Sequence, residues 1–284
     1  MTQTQTITNG TRPVRTQFLI FTLFGDYIVP RGGKIWTGSL LHLMDVLGVS
    51  ERAVRSALSR MRRKGWLETK RHGRRSQYAL TPRGQTLLEG GGQRIFEPVM
   101  TEWDDKWHLV VYSLPGDKRG ERHILRAQLS WLGFGSLAPG NWVSPRNRIT
   151  ELKRISNELD LEAYVQMFSG IYLGPSSVQS LVEQCWDLQG LANQYKTFIV
   201  RYQGEYAACQ ADQNNGRPLE PQTCFQRRYW FTQKFQSFPL KDPNLPTVLL
   251  PDDWIGFRGR QLFEAYRQLL SRMANQFVDE VMEK

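Results

Sequence analysis

The stretch from Val49 to Leu80 restricts this chain more than any other. Gly48-Val49-Ser50 supplies a turn and a helix cap, and ERAVRSALSRMRRKGW follows. Placed on a helix at about 100° per residue with Arg52 at zero, Val54, Ala57, Leu58 and Met61 fall within about 140° to 240°. Arg52, Arg55, Ser56, Ser59, Arg62 and Arg63 fall on the opposite side, between about 280° and 40°. A helix divided this sharply can be neither buried all round nor left unsupported. One face has to pack on a core while guanidinium groups and small hydroxyls stay outside, as a major-groove reading helix requires.

A basic exposed face is by itself an ordinary solvated surface, so the surroundings decide. The one acid on that face, Glu51, sits in the first turn, where it favours the helix dipole. LETKRHGRRSQYAL reads as two short strands around a basic tip at Arg71-His72-Gly73-Arg74-Arg75. Gly38 to Gly48 carries Leu40, Leu41, Leu43, Met44 and Leu47 and reads as a preceding helix, capped by Thr37 or Ser39. Together these predict a winged helix-turn-helix. Arg52, Arg55, Ser56 and Ser59 are assigned to base edges, and Arg62, Arg63 and Lys64 to phosphates. Arg71, Arg74 and Arg75 are assigned to phosphates or a minor groove, with Gly73 allowing the turn.

Charge supports this placement. Residues 1–95 hold 16 Lys/Arg against 5 Asp/Glu, a net of +11, whereas residues 96–284 hold 21 against 22, a net of −1. The cationic surplus thus belongs to the first third, as one nucleic-acid module in a larger protein would have it. Cys185, Cys209 and Cys224 show no ligand spacing and are expected to be reduced. No apolar run approaches the about 20 residues of a membrane span. The polar segment 1–14 lacks the features of a signal peptide and is expected to be disordered, in a cytoplasmic protein.

Along the chain, Arg15 to Asp26 reads as the first helix, with breaks at Gly25-Asp26 and at Pro30 to Gly33, and Lys34 to Trp36 as a strand able to pair with the hairpin. Thr81-Pro82 opens a helix with Leu87 and Leu88 inward, which Gly90-Gly91-Gly92 weakens or ends. From Trp107 to Phe168 the order is β-α-β-β-α-β, that of a ferredoxin-like unit. Val178 to Tyr206 then reads as a long helix that Gly190 bends or divides, Gln203 to Leu219 as a polar loop, and Gln222 to Phe238 and Trp254 to Met282 as further helices. The chain is therefore expected to be α+β and multidomain. Residues 1–95 form the winged domain, 100–173 the ferredoxin-like domain and 176–284 an all-α domain.

Several separated blocks, in order, resemble one family. RGGKIWTGSL (31–40), ERAVRSALSRMRRKGWL (51–67) and GRRSQYALTPRG (73–84) resemble the winged domain of PaaX-type transcriptional repressors. LGFGSLAPGNWVSP (132–145), VEQCWDL (182–188) and FPLKDPNLPTVLLPDDW (238–254) extend the resemblance over nearly all of the chain from about residue 16. It implies a homodimeric repressor of an aromatic-catabolism operon, such as that for phenylacetate, acting on a double-stranded operator with twofold symmetry. It implies release by an acyl-CoA effector, typically phenylacetyl-CoA, bound outside the winged domain. The family's central domain is similar to ferredoxin-like nucleases that use an acid at the end of the first strand. Here that position reads Tyr112-Ser113-Leu114, so the fold would serve dimerisation without metal chemistry.

For the effector, Trp186, Arg201, Arg227 and Arg228 combine aromatic surface with cations suited to phosphates. No P-loop, HExxH or GxSxG pattern occurs, none of the four histidines has ligand spacing, and no catalytic residue, metal or cofactor is assigned. Two alternatives stay open. One is a metal-dependent nuclease delivered by its winged domain, with Asp104-Asp105 as its metal site; the other is an architectural DNA-binding protein with no ligand.

Overall fold

The computed structural model describes residues 16–96, 102–217, 219–238 and 241–283. The expected disordered segment 1–14 lies outside the described residues. Helix α1 (Thr16–Leu23) does not break at Gly25-Asp26; it continues as a π turn over Phe24–Ile28 and a 3-10 turn over Val29–Arg31. Gly25 serves a different purpose: a Cβ there would meet Leu88 Cδ1 at 3.1 Å, so its bareness admits a neighbouring helix. The turn comes at Gly32 and Gly33, with φ of 90° and 73°. Strand β1 (Lys34–Trp36) leads into α2 (Thr37–Val46), and Ser50 caps α3 (Glu51–Arg63) by accepting from the Ala53 N–H. Neither Thr37 nor Ser39 caps α2, because the cap position is Trp36 and the Thr37 hydroxyl donates to the Ser76 carbonyl at 2.9 Å.

Strands β2 (Leu67–His72) and β3 (Arg75–Leu80) form the expected antiparallel hairpin, and β1 joins β3 from Lys34↔Ala79 to Trp36↔Gln77. Helix α4 (Pro82–Phe96) runs straight through Gly90-Gly91-Gly92. Glycine weakens a helix by about 1 kcal/mol per residue but does not forbid one. Leu88 packs inward against Gly25, while Leu87 is exposed, contrary to expectation.

The second region has the expected order of elements. Strand β4 (Trp107–Tyr112), α5 (Arg119–Trp131), β5 (Gly135–Ala138), β6 (Asn141–Ser144), α6 (Ile149–Glu158) and β7 (Val165–Gly170) form a four-stranded antiparallel sheet of order β5-β6-β4-β7. The 3-10 turn Glu162–Tyr164 occupies the start of the expected last strand. Val110, Tyr112, Trp142 and Val165 pack against Leu125, Leu129, Leu152 and Ile155, so both helices cover one sheet face.

The remaining helices are α7 (Val178–Cys185), α8 (Leu188–Asn214), α9 (Pro221–Phe235) and α10 (Ile255–Met282). The long helical pattern divides at Trp186-Asp187 and not at Gly190. Asp187 Oδ1 accepts from the Gly190 N–H at 2.8 Å and so caps α8, and a Cβ on Gly190 would strike that carboxylate at 2.1 Å. Most of the expected polar loop is helical: α8 runs to Asn214, because EYAACQADQ contains good helix formers and no breaker.

Compactness does not follow the linear three-part division. One unit gathers residues 1–93, 215–233 and 267–284; the other gathers 94–214 and 234–266. In the first unit, most of α9 and the second half of α10 complete the core around α1. Tyr27 packs on Phe225, and Phe225 on Phe277, with ring centroids 5.2 and 5.4 Å apart. The Tyr229 hydroxyl donates to the Leu19 carbonyl at 2.7 Å and Gln226 Nε2 to that of Val46 at 2.6 Å, while Gln233 donates to Thr22. At the centre, Asp26 accepts from Arg267 at 2.7 Å and faces Arg228 at 3.7 Å, and the Arg228 guanidinium lies 4.9 Å from the Tyr27 ring centre. Burial pushes the Tyr27 phenol up to about 12, against the pull of the adjacent Arg228.

Removing one partner of such a cluster strands the others. Asp26→Ala should lower unfolding free energy by about 3–5 kcal/mol in urea titration. Asp279→Ala, which breaks the more exposed pair with Arg31, should cost less than about 1 kcal/mol. Equal losses in the two variants would disprove the central role of Asp26.

Candidate nucleic-acid interface

The apolar stripe of α3 is buried as expected: Val54, Ala57, Leu58 and Met61 lie inside, and Arg52, Arg55, Ser56, Ser59, Arg62, Arg63 and Lys64 are exposed. The hairpin tip is a two-residue loop, since His72 pairs with Arg75, and Gly73 has φ of 59°. A positive φ at the first loop residue alone is the pattern of a II′ connection, for which glycine is favoured. Arg71, Arg74 and Arg75 are all exposed around it.

Two depressions flank the exposed face of α3. A cleft of about 600 Å³ is lined by Arg55 of α3, Arg74, Arg75 and Ser76 of the hairpin, Trp36 to Ser39 and His42 at the start of α2, and Val281 of α10. No side chain caps the first turn of α2, so its amide N–H groups add positive potential to this wall. A second groove of about 480 Å³ runs between Ser59, Arg62 and Arg63 on α3 and Leu67 to Thr69 on β2. The structure therefore brings Arg55, Arg74 and Arg75 together around one cleft and Ser59, Arg62 and Arg63 around the other groove, while Arg52, Ser56, Lys64 and Arg71 line neither.

Their local partners vary. Arg55 Nη2 pairs with Glu51 Oε1 at 2.6 Å, with both side chains more than half exposed. Arg60 Nη1 donates to Ser56 Oγ at 2.6 Å. The Lys64 ammonium lies 4.3 Å from the Trp66 ring centre, which holds it at the end of α3. Arg60 is a cation that the angular assignment leaves out, because it sits at about 80°, beyond the arc used. Its position four residues after Ser56 is the signal that identifies it. Lys34 on β1 and Lys70 on β2 are further exposed cations close in sequence to this surface.

The effector assignments fare differently. Trp186 is half-buried, stacks on Trp107 at 6.3 Å and donates to the Gly133 carbonyl at 3.3 Å. Arg201 is exposed, with its guanidinium 5.4 Å from the Tyr202 ring centre. Trp186 and Arg201 belong to one unit, Arg227 and Arg228 to the other. Arg227 is exposed; Arg228 is buried in the ion cluster with Asp26, and its charge is already opposed there. Cys209 and Cys224 are buried and Cys185 half-buried, with burial pushing its thiol to about 11. Among the described residues no three of His, Cys, Asp and Glu come together as metal ligands, and no helix is long and apolar enough to cross a membrane.

A helix–turn–helix followed by a cation-tipped hairpin, attached to a β-α-β-β-α-β unit and a set of helices, defines the class of protein. Three family models match it in succession: PaaX-like protein over residues 15–84, the PaaX protein central Cas2-like domain over 100–205, and the PaaX-like protein C-terminal domain over 186–280. The chain belongs to the PaaX family. It is 33% identical over 271 residues to the transcriptional repressor PaaX of Escherichia coli K12, covering 94% of this chain and 84% of that protein. An uncharacterized protein of Mycobacterium tuberculosis, Rv0674, shares the fold with a TM-score of 0.63 at 24% identity, covering 94% of this chain and 98% of that one.

The Thr37 hydroxyl anchors the start of α2 to the hairpin that shapes the larger cleft. Thr37→Val keeps the side chain's shape and removes the donor, and should cost about 1 kcal/mol in thermal or urea unfolding. No measurable change would show that the contact contributes nothing.

Proposed function

We propose that this protein is a homodimeric transcriptional repressor of an aromatic catabolic operon. Its winged helix-turn-helix reads an operator with twofold symmetry, and an aryl-CoA thioester such as phenylacetyl-CoA releases it. The reading is that of a non-enzymatic cytoplasmic regulator. The observation that carries it is the exposed α3 face, whose Arg55 lines a cleft with the hairpin tip and whose Arg62 and Arg63 line a groove with β2. Family membership and the relative named as a repressor support the same reading. In the second unit β4 ends at Tyr112 and Ser113 follows, where the similar ferredoxin-like nucleases use an acid.

In this mechanism α3 enters the major groove. Arg52 and Arg55, with Ser56 and Ser59, face base edges, where arginine can donate twice to guanine. Arg55 first leaves Glu51, an exposed pair worth at most about 1 kcal/mol. Arg62, Arg63, Lys64 and the hairpin arginines Arg71, Arg74 and Arg75 hold phosphates, while the first turn of α2 faces the backbone beside them.

Gel-shift titrations over a set of operator variants test this directly. Arg52→Ala or Arg55→Ala should cost about 1–3 kcal/mol and relax preference at one base position. Arg74→Ala should weaken all sequences alike and reduce the salt slope by about one unit. Unchanged affinity in all three variants rejects the orientation of α3.

For the effector, Trp186 is offered to the acyl ring and Arg201, in the same unit, to phosphate; Arg227, in the other unit, is a separate candidate cation, and Arg228 is set aside because of its ion pairs. Calorimetry with phenylacetyl-CoA should show affinity falling at least about tenfold in Arg201→Ala or Arg227→Ala, since a charge-assisted hydrogen bond contributes about 1.5–3 kcal/mol. Full affinity in both rejects these residues.

A further inference from the structure

A carboxylate on a surface that meets phosphates is repelled by them unless a donor comes between. From Ser50 to Ser76 the sequence holds 10 Lys/Arg and only two acids, Glu51 and Glu68. Glu68 lies on β2 beside the second groove, whereas Glu51 opens α3. The helix dipole favours an acid there, but the cap does not need one, since Ser50 Oγ already accepts the Ala53 N–H at 3.4 Å. The Glu51 carboxylate engages Arg55 instead, and unevenly. Arg55 Nε donates to Oε1 at 2.6 Å, and Nη2 lies at the same distance from that same oxygen. Oε2 accepts no hydrogen bond among the described residues, and the side chain is 62% exposed.

Binding to DNA sharpens this asymmetry. When Arg55 turns to guanine, it withdraws the donors held on Oε1 and leaves the whole carboxylate facing the groove. The first residues of a reading helix reach base edges, and four residues of helix rise about 6 Å, under two base steps of about 3.4 Å. Glu51 thus comes within one or two base pairs of the guanine that Arg55 reads. The edges available there differ. Guanine offers O6 and N7 and thymine offers O4, all acceptors that repel a carboxylate. Adenine offers its N6 amino group beside the acceptor N7. Cytosine offers N4 with no acceptor next to it on its own edge, so it suits a carboxylate best.

We infer that Glu51 is a specificity-determining residue of α3, whose carboxylate accepts from N4 of a cytosine one or two steps from the guanine read by Arg55. This rests on the placement of α3 in the major groove proposed above. On other sequences the carboxylate meets only acceptors and phosphates, so it weakens binding to the wrong DNA as well as strengthening it to the right. Arg55 and Glu51 act as a pair. Off DNA each satisfies the other, on the operator each finds its own base, and on unrelated sequence Arg55 stays with Glu51.

The test uses the full chain and duplexes selected from a randomised library, which yields a base profile without a known operator. In Glu51→Ala the preference for cytosine at one position should fall at least about tenfold, while affinity for random-sequence duplex rises at least about twofold. Glu51→Gln should move that preference toward adenine, whose N6 and N7 match an amide. A purely structural role for Glu51 would produce neither change, and Ser50 still caps α3 in both variants. In the selected duplex, N4-methylcytosine at that position keeps its pairing with guanine but loses the hydrogen that faces the groove. It should weaken the wild-type protein about tenfold and Glu51→Ala by less than about twofold. Glu68→Gln should raise affinity for random duplex and keep the wild-type profile. The assignment is overturned if Glu51→Ala leaves the profile unchanged, or if the preference it removes is for a base other than cytosine. It is equally overturned if the wild-type protein ignores the methyl group, or if Glu68→Gln shifts the same position. In each of these cases a profile that still responds to Arg55→Ala leaves the placement of α3 intact. A profile that ignores Arg55→Ala removes that placement and the role of Glu51 with it.

Discussion

The sharp division of α3 is the constraint on which the first unit depends. Four apolar side chains on one face have to be buried, and a line of arginines a half-turn away has to stay wet. A single helix cannot meet both demands. Burial of each large apolar residue is worth about 1.5–3 kcal/mol, so the neighbours are selected to cover the apolar stripe and then stop. Helices α1 and α2 supply that cover through Ile20, Leu23, Leu40, Leu43 and Met44, all nearly or fully inaccessible. The hairpin attaches at the end of α3, where Thr81 accepts the Gly84 N–H and donates to the Gly65 carbonyl. Gly84 sits so close to the Trp66 carbonyl that any side chain would collide with it. The cationic face is what remains once the apolar one has been satisfied.

Periodicity made this part legible from sequence. The 3.6-residue repeat of α3, the two short strand-like runs around the basic tip, and the order β-α-β-β-α-β are local signals, and local signals survive without coordinates. Where the reading departs from the structure, a local rule met a longer-range demand. Gly25 looked like a chain break, yet it makes room for Leu88, which is distant in sequence. The glycines at 90–92 looked like a helix end, and the helix continues through them. Gly190 looked like the division of a long helix, but Asp187 places it three residues earlier by capping α8.

The assembly of the first unit was not legible at all. Asp26 meets Arg228 and Arg267 across more than two hundred residues of sequence, and no spacing rule reaches that far. An isolated acid at a helix end reads as surface solvation, and an arginine among aromatic residues reads as a cover for the core or a phosphate ligand. Only the fold shows that this acid and these two arginines oppose one another in a largely dry interior. That α9 and the second half of α10 gather with the amino-terminal elements was not legible for the same reason. The aromatic faces of α9 and α10 are evident as apolar, but the sequence does not say which core they complete.

Exposure therefore sorts the arginines by role where sequence alone cannot. Arg55 and Glu51 form a close pair that water surrounds, so exchanging Glu51 for a nucleic-acid acceptor costs little and can be reversed. Arg228 and Asp26 form a looser pair from which water is excluded, and neither can give up the other without leaving a stranded charge. The first kind of arginine suits a surface that binds and releases a polyanion; the second holds distant segments of chain together. A composition count treats the two alike, which is why the charge surplus of the first third locates a reader but does not identify its contacts.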